Sequence, residues 1–458
     1  MELKKISDNE WEIPKQNGMN VPGKIFASEK LLNDIKKDKT LEQVKNVAKL
    51  PGIIGSSIAL MDAHQGYGFS IGGVAGFDIE KGVISPGGVG YDIDCSVRLL
   101  KTNLKLSDLK KIGIKELTHS LFRAIPSGVG RGSKINLKYN ELDEILKKGA
   151  RWAVENGYGI NEDLKHLEDN GNLLPANPDD VSKRAKSRGI GQLGTLGAGN
   201  HFLEIGIVDE VYDREFAKKF GLEKGQITIM IHCGSRGLGH QVASDYIKLM
   251  EDKYGWPEFD RELVNAPIKS ELGEKYFSAM NCAANFAFAN KQVITHWIRE
   301  NMKHYFPNVK IDVVYEVCHN IAKFEEHKIN GKLKKILVMR KGATRSFPNQ
   351  PVLIPGSMGT SSYVLVGTEN AMEKSFGSTA HGAGRVSSRT AARKNLHADE
   401  IKKELSKKGI EIEAGSFQGI VEEAPEVYKD IDEVVRVSHE AGIGDLVVKL
   451  KPLGVVKG

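Results

Sequence analysis

The residues best able to do chemistry are gathered beside glycine. GGVGYDIDCSVRLL (87–100) places Asp92, Asp94 and Cys95 just behind a glycine-rich turn. A thiol flanked by carboxylates is an unfavourable neighbour for negative charge unless a cation sits among them. Histidines recur beside glycine-rich turns or at strand ends: His201 in LGAGNHFLE, His232 ending QITIMIH, and His319 ending IDVVYEVCH. Strand alternation selects among adjacent donors. In IDVVYEVCHN, residues Ile311, Val313, Tyr315, Val317 and His319 share one face, and Cys318 points oppositely. His232 and Cys233 are likewise neighbours, so each pair offers one ligand. Histidine is the better donor, and Cys233 and Cys318 read as small packing residues. Asp92, Cys95, His201, His232 and His319 form the candidate set. Five donors exceed one tetrahedral site but suit two ions ~3.5–4 Å apart that share the thiolate, an arrangement suited to displacement at phosphorus. Donor type alone points to zinc, with manganese or cobalt as alternatives.

FGSTAHGAGRVSSR supplies a second constellation. His381 sits among small residues, with Arg385 four positions on and Arg389 four further. An imidazole there can attack phosphorus while the arginines hold phosphate oxygens. The competing reading is a turn histidine packed by Gly382 and Gly384.

The elements that must position these residues are mixed. The chain holds 49 glycines, concentrated in six stretches, four of which contain a histidine. Segments 226–232, 311–319, 335–341 and 361–368 read as strands. Leu142, Ile145, Leu146 and Trp152 or Ala153 give 139–157 a helical period. The stretch from about Ser270 to Tyr305 predicts one helix of about 50 Å, with Asn281 and Asn285 on one face. Without repeats, linkers or strict strand–helix alternation, the expectation is an α+β fold in one large mixed domain over 1–458, with strands and helices around a central metal cleft.

Bulk properties narrow the class. Hydrophobic content of 40% and charged content of 27% fit a soluble globular protein. No apolar run is long enough to span a membrane, and the polar N-terminus argues against a signal peptide. Four cysteines in 458 residues are too few for a disulfide framework, which points to a cytoplasmic location. The net charge of +6 is compatible with RNA or nucleotide partners, though a lysine-rich surface balanced by glutamate is the better explanation of it.

Taken together, the motifs resemble one family, the RtcB RNA ligases of tRNA splicing and RNA repair. GGVGYDIDC, LGAGNHFLE, HCGSRGLGHQ, HNIAK, RKGATR, PGSMGTSSY, FGSTAHGAGR, EEAPEVYKD and KPLGVVKG carry the match, in the family's order, from about residue 50 onward. The resemblance implies two Mn²⁺ per chain, one on Asp92, Cys95 and His201 and the other on Cys95, His232 and His319. It places the guanylylated histidine at His381. The implied GMP pocket comprises Asn200, His201, Phe202, Leu203, Glu204, His319, Asn320, Pro355, Gly356, Ser357, Met358, Ser362, His381, Gly382, Ala383, Gly384, Tyr428 and Lys457. Arg236, Lys341, Arg385 and Arg389 are the candidates for RNA or triphosphate oxygens.

The implied activity consumes GTP. It joins a 2′,3′-cyclic-phosphate or 3′-phosphate RNA end to a 5′-hydroxyl end through His–GMP and RNA(3′)pp(5′)G. Exon halves of tRNA or broken RNA ends would be the substrates, an archease-type protein a possible activator, and the working form a monomer. The alternatives are a two-metal phosphoesterase without nucleotidyl transfer and a non-catalytic RNA-binding paralogue. One departure stands out. The family commonly has asparagine and glycine where this chain has Asp94 and Ser96. Asp94 is therefore a rival to Asp92, because on an extended segment the two share a face.

Overall fold

The computed structural model describes residues 3–16 and 18–458. Two large sheets dominate it. The first runs, in spatial order, Lys4–Lys5, Glu10–Ile13, Gly23–Phe26, Ile53–His64, Ile71–Asp78, Lys332–Lys341 and Asn320–Ile329. The second runs Ile311–Cys318, Ser96–Lys105, Gln226–Cys233, Phe202–Val211, Asp445–Lys457, Ser362–Val366 and Pro351–Ile354, with Glu411–Ala414 pairing the 445–457 strand. Nearly all pairs are antiparallel; the exceptions join 23–26 to 53–64 and 411–414 to 445–457. Antiparallel sheets with helices set apart from them make this an α+β fold, as expected.

Helix Glu271–Tyr305, 35 residues capped by the Ser270 side chain, crosses one face of the second sheet. Its middle turns are apolar or neutral nearly all round, as a helix buried on every side requires. Asn281 and Asn285 do share a face, and both clasp one loop. Asn281 donates to Pro175 O at 2.9 Å. Asn285 accepts from Leu173 N at 2.7 Å and donates to Leu146 O and Leu173 O at 2.8 and 3.1 Å.

Two expectations need correction. The 139–157 segment is two helices, Tyr139–Lys148 and Ala150–Glu155, broken at Gly149. Gly149 has φ +58°, and a Cβ there would lie 2.1 Å from Gly171 O, so the break is imposed by close backbone approach. Strand 311–318 also fails to keep one parity, because its register shifts between Val313 and Tyr315. Ile311 and Val313 pack with the core under the long helix, whereas Val317 packs on the opposite face. A bulge adds one residue and reverses the faces beyond it. The local alternation at Val317, Cys318 and His319 is unaffected.

We predict that Asn285→Ala lowers stability by about 3 kcal/mol, because it strands several buried backbone groups. Denaturant titration of the two proteins measures this; a loss near zero would show that the clasp carries no stability.

Candidate active site

Sheet register brings the donors together. Ser96 pairs with Cys233 on one side and Cys318 on the other, and His232 pairs with both Val97 and Phe202. The His319 amide donates to Cys95 O at 3.0 Å. Cys95, His201, His232 and His319 thus come from four adjacent strands or from residues abutting their ends. Cys95 Sγ lies 3.5 Å from His201 Nε2 and 3.2 Å from His232 Nε2. His232 Nε2 lies 3.3 Å from His319 Nε2, and Asp92 Oδ2 lies 2.7 Å from His201 Nε2. Two donor triads result, Asp92–Cys95–His201 and Cys95–His232–His319, each with its ligand atoms within 4.8 Å of one another.

The turn before Cys95 separates the two aspartates. Asp94 has φ +51°, a left-handed conformation that aspartate tolerates, so the extended-segment parity does not apply. Asp92 faces the triads. Asp94 points beneath them, 3.7 Å from Lys291 Nζ, and neither of its oxygens has a hydrogen-bond partner among the described residues. Lys291 also meets Glu316 at 3.2 Å, and Glu316 pairs with Arg98, whose Nε lies 2.6 Å away. Asp94, Lys291, Glu316 and Arg98, all fully buried, form the floor of the site, where burial raises Asp94 to about 7 against the pull of Lys291.

The donor set fits metal ions. Burial drives the proton affinity of His232 and His319 well down, leaving imidazoles in their ligating neutral form. Burial and then Asp92 push the Cys95 thiol well up, so an ion binding there must displace its proton. Burial raises Asp92, but its pairing with His201 prevails and holds it at about 2. Burial likewise opposes the charged form of His201, yet Asp92 brings that group up to about 9. His201 Nδ1 lies 3.2 Å from Leu196 O, an acceptor that keeps the ring proton on Nδ1 and leaves Nε2 open to a cation, while Arg236 Nη1 lies 3.1 Å from the same nitrogen. Cys233 contacts Thr195 O and Leu196 O on the far face, as the packing reading expects.

A cavity of about 380 Å³ opens beside the triads. Asn200, Phe202, His319, Asn320, the 355–358 turn, residues 381–384, Tyr428 and Lys457 line it, as do Lys341, Arg385 and Arg389. Glu204 shares a strand face with Phe202, and Ser362 Oγ reaches it at 3.4 Å. Leu203 is a fully buried core residue. The Asn320 carboxamide is engaged by protein, donating to Asp92 O at 3.0 Å and accepting from Gly342 N at 2.8 Å.

His381 stands at the end of a short strand, Ser378–Ala380, paired with Ala343–Arg345, and Ala343 N donates to His319 O at 3.0 Å. This backbone chain sets the His381 ring 5.0 Å from the His319 ring. Asp62, fully buried in strand 53–64, receives both the His381 amide at 2.9 Å and Nδ1 at 2.6 Å through Oδ2. Nε2 has no protein partner among the described residues. Gly384 is required here, since a Cβ would lie 2.1 Å from Asp62 O. Asp62 was not legible as functional; its one signal is a lone acid inside the apolar run SIALMDAH. His64, next to it, accepts from Arg385 N at 3.4 Å, and burial drives it to about 4. His240 stacks on Tyr91, and His327 pairs with buried Glu325 at 3.1 Å.

Burial also shifts the groups in and behind the cavity wall. Glu204, behind the wall beside Ser362, is pushed up to about 8, while Lys457 and Lys341 in the wall fall to about 8 and about 7. Arg385 and Arg389 meet Glu423 at 3.3 and 3.4 Å, a partner the sequence reading did not assign.

A family model described as tRNA-splicing ligase RtcB matches residues 43–458. The chain belongs to the RtcB family. It is 53% identical to the tRNA-splicing ligase RtcB of Thermococcus kodakarensis, covering 100% of this chain and 99% of that protein. It is 52% identical to the corresponding protein of Archaeoglobus fulgidus, with the same coverage. The Nanoarchaeum equitans RtcB is 49% identical over the full length of both chains. Among the described residues, no helix is long and apolar enough to cross a membrane.

The raised Glu204 has a consequence for stability. Between its ordinary value near about 4.3 and about 8, the folded protein holds a proton that the unfolded chain releases, so stability falls as pH rises through that window. Glu204→Gln should therefore raise the melting temperature relative to wild type at pH 8 and give no such gain below about pH 4.3. Melts across pH decide it; an equal difference at both ends contradicts the assignment.

Proposed function

We propose that this chain is a GTP- and manganese-dependent RNA ligase that uses His381 as its nucleotidyl carrier. One observation carries the reading: a histidine held by a buried carboxylate stands 5.0 Å, ring to ring, from a ligand of a paired-triad donor set, in one cavity. Divalent ions on the two triads would neutralise phosphate oxygens and leaving groups where charge develops.

The chain's own groups do the rest. Asp62 accepts a hydrogen bond from Nδ1–H, which keeps the proton on Nδ1 and leaves the Nε2 lone pair free to attack the α-phosphorus of GTP. A P–N bond forms, the bond to the bridging oxygen breaks, and pyrophosphate departs. A terminal RNA 3′-phosphate oxygen then displaces histidine, giving RNA(3′)pp(5′)G. Finally the 5′-hydroxyl of a second RNA attacks the 3′-phosphorus, and GMP leaves. A cyclic phosphate end must first be opened to the 3′-phosphate. Glu204 keeps its proton in the free protein, so guanine must displace it before the carboxylate can accept from N1–H and N2–H, a donor pair adenine lacks. Tyr428 offers a ring for the base, and the 355–358 turn and residues 381–384 let the nucleotide approach backbone closely.

The decisive assay joins a 2′,3′-cyclic-phosphate RNA to a 5′-hydroxyl RNA, with GTP and Mn²⁺ omitted in turn. Joining is expected only with both, and α-labelled GTP should label His381. Hydrolysis without labelling would make the protein a phosphoesterase instead. His381→Ala is expected to abolish labelling yet still join RNA that already carries a 3′-guanylylated end. No preference for such RNA over 3′-phosphate RNA would rule out the carrier role. For the shared thiol, Cys95→Ser should weaken both ions in a manganese titration; loss of one ion alone would refute bridging.

A further inference from the structure

Glu423 has no part in the reaction as set out above, yet it is 1% exposed and four side chains converge on it. Its Oε1 meets Arg385 Nη1 at 3.3 Å and Arg389 Nε at 3.4 Å. Its Oε2 accepts from the Tyr428 hydroxyl in a short hydrogen bond and faces Lys457 Nζ at 3.9 Å. A carboxylate has about four lone-pair sites, two on each oxygen, and here each oxygen faces two partners. All four partners line the cavity.

The partners come from separate stretches of chain. The segment after His381 lies alongside 427–429, with Val386 N donating to Val427 O at 2.8 Å and Lys429 N to Gly384 O at 2.9 Å. Lys457 arrives from the far end of the sequence, and Glu423 is the contact these stretches have in common. Arg385 Cζ also lies 5.1 Å from the centre of the Tyr428 ring. Glu422 shares Arg389 at 3.5 Å and holds Arg393 at 3.5 Å, but has no ion pair with Arg385 or Lys457. Arg385, Arg389, Arg393 and Lys457 therefore face two carboxylates, and the surplus positive charge points to an anionic ligand.

We propose that Glu423 is the positioning residue of this wall. It holds Arg385 and Arg389 for a nucleotide phosphate and fixes the Tyr428 ring beside them, with Lys457, itself bonded to Gly199 O at 2.8 Å, alongside. The inference rests on reading the cavity as a nucleotide site. Without the carboxylate the three cations repel one another, and the Tyr428 hydroxyl loses its acceptor.

Steady-state guanylylation of full-length protein by α-labelled GTP tests it. Glu423→Gln keeps the shape and an acceptor for Tyr428 but removes the charge. It should raise KM for GTP about tenfold or more while kcat changes less than about threefold. Tyr428→Phe, which removes only the hydroxyl, should raise KM by less. Glu423→Asp, which retains the charge but withdraws it, should give an intermediate KM and decides the matter if the glutamine variant fails to fold. A KM within about twofold of wild type for the folded variants, or a fall in kcat alone, overturns the inference. Wild-type protein that takes no label at all overturns the nucleotide reading itself, which is a separate result.

Discussion

Ser96 lies between Cys233 and Cys318 in the second sheet, and that register decides where the donors fall. Side chains alternate strictly along a strand, so a slip of one residue would turn His232 into the core and bring Cys233 to the site. The slip is opposed on both faces. Ile229 and Ile231 pack toward the long helix, and Val97, Leu99 and Met230 pack on the other side. The geometry of the donor set is therefore fixed by ordinary core burial at several positions together.

The site lies at a seam. His232 lies in the second sheet and Cys95 and His201 abut its strands, Asp62 lies in the first, and the chain passes from one to the other at His319–Asn320. Seam burial explains the electrostatics, since a poorly solvated space disfavours charge on carboxyl and amine alike. Glu204 is raised while Lys457 and Lys341 are lowered, for one reason. The charges that survive there, such as Asp62 beside His381 or Glu423 among its cations, do so because they are paired.

Much of this was legible in the sequence, and the failures have physical causes. The glycine-rich motifs marked Asp92, Cys95, His201, His232 and His381, because close backbone approach leaves a compositional trace, and the end of a β-branched run marked His319. The long helix was legible from its uninterrupted composition. The break at Gly149 was not, because it depends on Gly171, distant in sequence. The bulge at Val314 left no sequence mark and altered parity midway along its strand. Asp94 rivalled Asp92 only while the turn was treated as extended. Asp62 and Glu423 escaped notice because a single buried acid reveals its role through partners that only folding supplies.

The four charges beneath the donor turn bear on how this protein can diverge. Asp94, Lys291, Glu316 and Arg98 balance one another out of reach of solvent. Exchanging one alone leaves an orphan ion in a dry interior, whereas exchanging opposite members together keeps neutrality. Drift in that basement is therefore expected to proceed in concerted steps, with the helix at residue 291 and the turn at residue 94 evolving as a couple.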